Sequence, residues 1–106
     1  NHQARRDIVK KARKILGDVR GKKIGILGLA FKANTDDMRE APSIDIITML
    51  ENDGAKITAF DPKAQDNAKE VLPKISYAGD INAVVEGADL LILLTEWSEF
   101  IELNFD

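Results

Sequence analysis

The sequence predicts a three-layer α/β domain built on a parallel β-sheet. Short apolar segments of strand length alternate with segments of helical periodicity, and strands separated by helices are joined by parallel, right-handed crossovers. The segment "LLILL" at 90–94 is apolar throughout, which is typical of a strand buried on both faces of such a sheet. The 106 residues suffice for one domain with a modest core.

Each predicted element is bounded by residues that start or stop it. Apolar side chains recur at helical spacing over 1–16, with Gly17 as a stop and basic residues on the other face. Asp80 stands where it can cap the last helix. The other predicted helices are 43–53, 64–72 and 81–86. The predicted strands are 23–29, 56–60, 75–77 and 90–94.

The crossovers also predict the order of the strands. We expect the first strand in the centre, the second and third on one side of it, and the fourth on the other. Ligands bind such sheets beyond the carboxyl ends of the strands, where the strand order reverses. The loop that begins at Ala30 and the segment 95–97 should therefore meet at one cleft.

Composition excludes several classes of function. A net charge of -3 without a basic run gives no reason to expect nucleic acid. No segment is long and apolar enough to predict a membrane partner. The chain has no cysteine, which removes disulfides and thiol catalysis and fits a cytoplasmic setting. His2 stands alone near the first residue, so neither a metal site nor a catalytic residue is predicted.

The loop "GLAFKANTDDMREAPS", residues 28–43, carries the candidate site. Phe31 and Lys32 follow the first strand, and an aromatic ring beside a cation suits a flat heterocycle attached to phosphate. The alternative is that Phe31 fills the core and Lys32 is solvated. Ordering a loop costs about 1–2 kcal/mol per residue, so a long ordered loop is more often functional than decorative.

A cluster of charges follows in the same loop, formed by Asp36, Asp37, Arg39 and Glu40. Either these charges neutralise one another at the surface, or the acids orient Arg39 to present its guanidinium to a phosphate. Paired carboxylates without a third ligand at suitable spacing do not predict a metal.

The segment Thr95-Glu96-Trp97 ends the fourth strand at the predicted reversal of strand order. Thr95 is a candidate donor to a ligand at this position. Trp97 either covers a base or packs with Phe100 over the local core.

Two features of a dinucleotide site are incomplete. Gly25 and Gly28 form G-x-x-G instead of the G-x-G-x-x-G turn that holds a pyrophosphate. Asp61 ends the second strand, as a ribose-binding acid does, but follows Gly28 by 33 positions instead of about 20. A strand-ending turn at Asp61-Pro62 is the simpler interpretation, and no complete NAD site is predicted in this chain.

The loop motif resembles the opening of the carboxy-terminal, UDP-binding domain of the UDP-glucose/GDP-mannose dehydrogenase family. "FDPKA" at 60–64 and "LLTEWSEF" at 93–100 are similar to the ends of that domain's second and fourth strands, in the same order. The basic helix before "GKKIGILG" resembles the approach from the family's central dimerisation region. The resemblance covers essentially the whole chain, and "NTDDMREAPS" is most similar to the UDP-glucose branch.

The resemblance implies a Rossmann-like parallel sheet that stops before its last strand. It implies that residues 1–20 end a linking helix and that residues 21–106 form the UDP-binding domain. Phe31 and Lys32 match the pair that contacts the nucleotide sugar. Arg39 matches an arginine that reaches NAD, which is bound mainly by another domain.

The parent protein implied by the resemblance is an NAD-dependent, cytoplasmic UDP-glucose 6-dehydrogenase, a dimer or larger, that oxidises UDP-glucose to UDP-glucuronate in two steps. The family's chemistry uses a cysteine that this chain lacks, so the chain alone is expected to be inactive. The family's Asp-Gly-Arg segment, whose arginine helps to grip the substrate, is also absent from it.

Three alternatives stay open. The domain could serve a GDP-mannose or UDP-N-acetylmannosamine dehydrogenase. It could instead be a flavodoxin-like phospho-receiver, with Asp36 and Asp37 as a Mg²⁺ pocket and Asp61 as phosphoacceptor, although receiver acids normally follow the first strand at once. Finally, the helix 1–16 could mainly mediate association.

Overall fold

The computed structural model describes residues 2–30, 38 and 41–94, which fold into alternating helices and strands. The helices are α1 (His2–Leu16), α2 (Pro42–Asn52), α3 (Gln65–Val71) and α4 (Ile81–Val85). The strands are β1 (Lys23–Leu27), β2 (Lys56–Phe60), β3 (Ser76–Tyr77) and β4 (Leu90–Leu93). Each predicted element is present, with bounds within two residues of those expected.

The sheet is parallel and has the predicted strand order, β3-β2-β1-β4. In its register, Leu27 of β1 lies beside Phe60 of β2 on one side and Leu93 of β4 on the other. The carboxyl ends of these three strands are therefore level with one another. The order reverses between β1 and β4, so the loop after β1 starts at the reversal point.

Helices cover the sheet on both faces, which confirms the three-layer α/β prediction. Alternate residues of each strand point to opposite faces, and Ile24, Ile26 and Ile57 belong to a core cluster with residues of α1, α2 and α3. Leu27 points to the other face and packs with Val84 of α4. This arrangement follows from the right-handed crossovers.

Helix α1 packs into the same core as the sheet. Val9 and Ala12 are buried in this core cluster, and two ion pairs join the helix to α2 and to the residue that follows it. Arg5 pairs with Asp45, and the Arg13 Nε donates to the Asp53 carboxylate at 2.8 Å. Among the described residues, no helix has the length and apolar character that crossing a bilayer requires.

Strand β1 is shorter than the predicted 23–29, and its end explains why. Gly28 adopts a left-handed φ of 94°, which L-residues with a side chain rarely take. Its N–H still donates to the carbonyl of Phe60 at 2.9 Å. The next two N–H groups, of Leu29 and Ala30, donate to the carboxylate of Asp61 instead of a strand.

The prediction that β4 is buried on both faces is wrong. Leu93 is 45% exposed, and the other residues of the strand are only half-buried. Within residues 2–30, 38 and 41–94, β4 is an edge strand that pairs with β1 alone. An apolar run therefore identified the strand correctly but not its surroundings.

Candidate functional site

The carboxyl ends of β1 and β4 form the base of the predicted cleft. The N–H of Leu94 donates to the carbonyl of Leu27 at 2.9 Å, so the chain leaves both strands at neighbouring points. One exit continues through Ala30 into the loop, and the other continues into residue 95. The topology therefore brings the starts of the two predicted segments to one edge of the sheet.

The candidate ligand contacts themselves lie outside the described residues. This applies to Phe31, Lys32 and Arg39. It applies equally to the segment 95–97 and to the acids of the loop. Their roles stay predictions, and the structure contributes the frame from which they extend.

A buried carboxylate organises this frame. Asp61, at the end of β2, is only 2% exposed. Its Oδ2 accepts hydrogen bonds from the N–H groups of Leu29 at 2.8 Å and Ala30 at 3.2 Å. Its Oδ1 accepts from the N–H groups of Lys63 and Ala64, both at 2.8 Å. One side chain thus joins the exit of β1 to the turn that follows β2.

These bonds decide between the interpretations of Asp61. An ionised carboxylate offers about four lone-pair sites, and four backbone donors occupy them here. The group has no free acceptor for a ribose hydroxyl, and its burial shields it from a phosphoryl donor. Asp61 is therefore a turn residue, as the simpler interpretation predicted, and the phospho-receiver alternative loses its phosphoacceptor.

The far end of the loop is attached to the same point. Ser43, in the first turn of α2, is 1% exposed, and its Oγ donates to the carbonyl of Leu29 at 2.6 Å. Before it, the N–H of Ala41 donates to the carbonyl of Met38, whose side chain is buried in the core. The loop therefore starts and ends at positions that are fixed relative to each other.

The sequence alone assigned no role to Ser43 or Met38, although each leaves a signal in it. Met38 is the one long apolar side chain between Phe31 and Ala41, which marks it as a residue that returns to the core. Ser43 follows a proline at the start of a helix, where a small polar side chain often contacts nearby backbone. Its partner in this structure lies across the loop and is not predictable from that rule.

Among the cavities that the described residues line, two lie at opposite ends of the sheet. One of about 540 Å³ is at the amino ends of the strands, near Lys23, Lys56 and Lys74 and also near two glutamates. A smaller one of about 250 Å³ borders Asp61 and Gly79 at the carboxyl ends. The smaller cavity borders the ends of β2 and β3, whereas the strand order reverses between β1 and β4. The ligand site is therefore predicted from the topology and not from the volume of either cavity.

Tyr77 has a displaced pKa for a structural reason. Burial of its phenol, and after it the negative charge of Glu51, raise the pKa of Tyr77 to about 12. Its hydroxyl donates to the carbonyl of Leu72 at 2.7 Å, which ties β3 to the end of α3. A phenol with this pKa stays protonated at neutral pH and does not serve as a base.

Comparison with known proteins agrees with the resemblance of the loop motif. Residues 25–106 match the UDP binding domain of the UDP-glucose/GDP-mannose dehydrogenase family. A UDP-glucose 6-dehydrogenase from Rhizobium meliloti is 44% identical over 90 residues, which cover 85% of this chain and 21% of the relative.

Solved structures agree with this match. A UDP-glucose dehydrogenase from the archaeon Pyrobaculum islandicum superposes with a TM-score of 0.96 at 34% identity, over 100% of this chain and 25% of that one. A GDP-mannose dehydrogenase from Pseudomonas aeruginosa, solved as a ternary complex, superposes with a TM-score of 0.76 at 28% identity, over 96% of this chain and 26% of that one. The chain therefore spans about a quarter of the length of the proteins it matches.

Proposed function

Because the chain belongs to the UDP-glucose/GDP-mannose dehydrogenase family, as its UDP-binding domain, we propose that it binds the UDP part of a nucleotide sugar at the carboxyl ends of β1 and β4. The observation that carries the proposal is the pair of adjacent exits at the reversal of strand order, joined by the bond from Leu94 to Leu27. Parallel sheets bind ligands at such points.

Phe31 and Lys32 are the residues that we propose contact the nucleotide. Consecutive Cα atoms lie about 3.8 Å apart, so Phe31 follows within that distance of Ala30, whose N–H is held by Asp61. An aromatic ring there offers a face to the nucleotide, and the neighbouring ammonium pairs with the diphosphate charge.

We further propose that the chain works as part of an NAD-dependent UDP-glucose 6-dehydrogenase, cytoplasmic and at least dimeric, that converts UDP-glucose to UDP-glucuronate. The similarity to the Rhizobium and Pyrobaculum proteins favours UDP-glucose over the GDP-mannose and UDP-N-acetylmannosamine alternatives. Residues 1–20 would then end a linking helix. Since the chain has no cysteine, we expect no NADH when it is mixed with UDP-glucose and NAD; turnover would contradict this proposal.

A complete NAD site does not fit the described part of the chain. The lone pairs of Asp61, which stands at the position of a ribose-binding acid, are occupied by backbone donors. NAD is therefore proposed to bind mainly to another domain of the parent protein, with Arg39 reaching it from the loop.

The test is a calorimetric titration of UDP into this chain and into two lysine variants. Lys32→Ala removes the proposed diphosphate contact, and a hydrogen bond to a charged group contributes about 1.5–3 kcal/mol, so we expect the Kd to rise about tenfold or more. Lys74→Ala is the matched control, because Lys74 borders the cavity at the amino ends of the strands.

The two variants distinguish UDP binding at the carboxyl ends of the strands from UDP binding at their amino ends. An unchanged Kd for Lys74→Ala with a raised one for Lys32→Ala supports the proposal. The reverse pattern would place UDP in the cavity at the amino ends and overturn it. Titration of GDP into the same samples tests the choice of base.

A further inference from the structure

We propose that Asp61 and Ser43 are positioning residues of the UDP site, which set where Phe31 and Lys32 stand without contacting the ligand. The inference rests on the proposed function and deepens it. Its basis is that both side chains are buried polar groups whose hydrogen bonds end on the residues from which the loop starts.

Leu29 is the point where three elements are joined. Its N–H donates to Asp61 at the end of β2, and its carbonyl accepts from Ser43 at the start of α2. Its own side chain is fully buried in the core cluster. The backbone of Leu29 is therefore held on both sides of its Cα atom, two residues before Phe31.

The bond to Ala30 extends this attachment by one residue. Its N–H shares the Asp61 Oδ2 with that of Leu29, at 3.2 Å. The other oxygen of Asp61 is bound to the turn at Lys63 and Ala64, so the carboxylate is itself held in place. The start of the loop is consequently fixed in position relative to the end of β2.

Ser43 closes the other side. Ser43 is the second residue of α2, and its bond to Leu29 spans 14 positions of sequence. The bond therefore joins the end of the loop to its start. A loop whose two ends are held in place has less conformational freedom to lose on binding, and a preorganised site binds more tightly than one that must be ordered. The predicted consequence is a UDP affinity that depends on two residues that do not touch UDP.

The experiment measures the Kd of UDP by calorimetry for the wild-type chain, Asp61→Asn and Ser43→Ala. Asp80→Asn is the matched control, because Asp80 also accepts a backbone N–H, but from Ala83 at the start of α4 and not from a residue of the loop 28–43. Urea unfolding of each variant at the temperature of the titration establishes that nearly all molecules are folded. Under that condition a loss of stability alone leaves the Kd unchanged, because apparent affinity falls only with the competent fraction.

We expect the Kd to rise about tenfold in Asp61→Asn and about threefold in Ser43→Ala, with a less favourable binding entropy in both. Asp80→Asn should keep the wild-type Kd. Should Asp61→Asn fail to fold, Ser43→Ala carries the test, since it removes one hydroxyl and adds no bulk.

Wild-type Kd values in the folded positioning variants would overturn the inference. An equal weakening in Asp80→Asn would also overturn it, because the effect would then be general. If the wild-type chain itself does not bind UDP, the proposed function fails, and this outcome is distinguishable because it appears before any substitution is made.

Discussion

Val84 of α4 lies directly against Gly25 of β1: a Cβ atom at position 25 would come within 2.7 Å of the Val84 Cγ1 atom. The same atom would lie 2.7 Å from Leu91 Cδ2 and 3.2 Å from the carbonyl oxygen of Val84. Gly25 is thus the position where α4 approaches β1 closely. The first glycine of the G-x-x-G motif serves packing in this structure.

Replacing Gly25 by alanine should therefore destabilise the fold. The added methyl group forces α4 away from the sheet, and overpacking of this kind costs about 1–3 kcal/mol. The measurement is the free energy of unfolding in urea. Gly79→Ala is the control, because a Cβ atom added there would meet no atom within 4 Å and its backbone is not left-handed; it should stay within about 1 kcal/mol of the wild type. Equal stabilities of the two variants would contradict the packing role.

The same Asp→Asn substitution should have different effects at positions 61 and 80. At Asp61 the new amide presents N–H donors to two backbone N–H groups, and each buried group left unpaired costs about 1–3 kcal/mol. At Asp80 a single bond from Ala83 is accepted, and Asn caps helices about as well as Asp. We expect a loss of about 2 kcal/mol or more for Asp61→Asn and almost none for Asp80→Asn. Urea unfolding curves of both variants decide, and similar losses would refute the four-bond assignment.

Tyr77 should ionise at a higher pH in the native chain than in the unfolded chain. Its native pKa of about 12 exceeds the ordinary 10.0 of the unfolded state, so the native state holds the proton more tightly. The resulting contribution to stability is complete below pH 10 and is lost as the pH rises through 12.

The chain has one tyrosine, so the ultraviolet absorbance of tyrosinate reports Tyr77 directly. We expect a midpoint near pH 12 in buffer and near 10 in concentrated urea. The Tyr77→Phe variant should show a weaker fall of stability between these pH values. A midpoint near 10 in buffer, with a native circular dichroism spectrum, would contradict the burial of the phenol.

The buried face of helix α1 should contribute to the stability of the domain, and its exposed apolar position should not. Val9 is 1% exposed and Ile15 is 62% exposed, so truncation to alanine separates the two faces. Val9→Ala should cost about 1–3 kcal/mol, and Ile15→Ala should stay within about 0.5 kcal/mol. Urea unfolding measures both. An unchanged stability of Val9→Ala would indicate that α1 detaches from the rest of the chain in solution.

In the proposed parent enzyme, Arg39→Ala should weaken the binding of NAD. Loss of a charge-assisted contact of about 1.5–3 kcal/mol predicts a KM for NAD that rises about tenfold or more, with a smaller change in the KM for the UDP-sugar. Arg6→Ala, on the exposed face of α1, is the control. Steady-state kinetics with each substrate varied in turn make the measurement. A wild-type KM for NAD in Arg39→Ala would refute the assignment.

The sequence by itself determined the elements, their order in the sheet and the edge at which the site should lie. Those features follow from local periodicity and from the handedness of crossovers, and Asp80 was predictable as a cap because its partner is three residues away. The motif of the loop also indicated the family, and with it the roles still predicted for Phe31, Lys32 and Arg39.

The tertiary structure alone decided what the single residues at that edge do. Asp61 bonds to Leu29, 32 positions away, and Ser43 bonds to the same residue from the other direction. The exposure of Leu93 depends on which strand lies beside β4. Periodicity reports only which side chains share a face of one element, whereas these contacts are set by the distances between elements once the chain has packed.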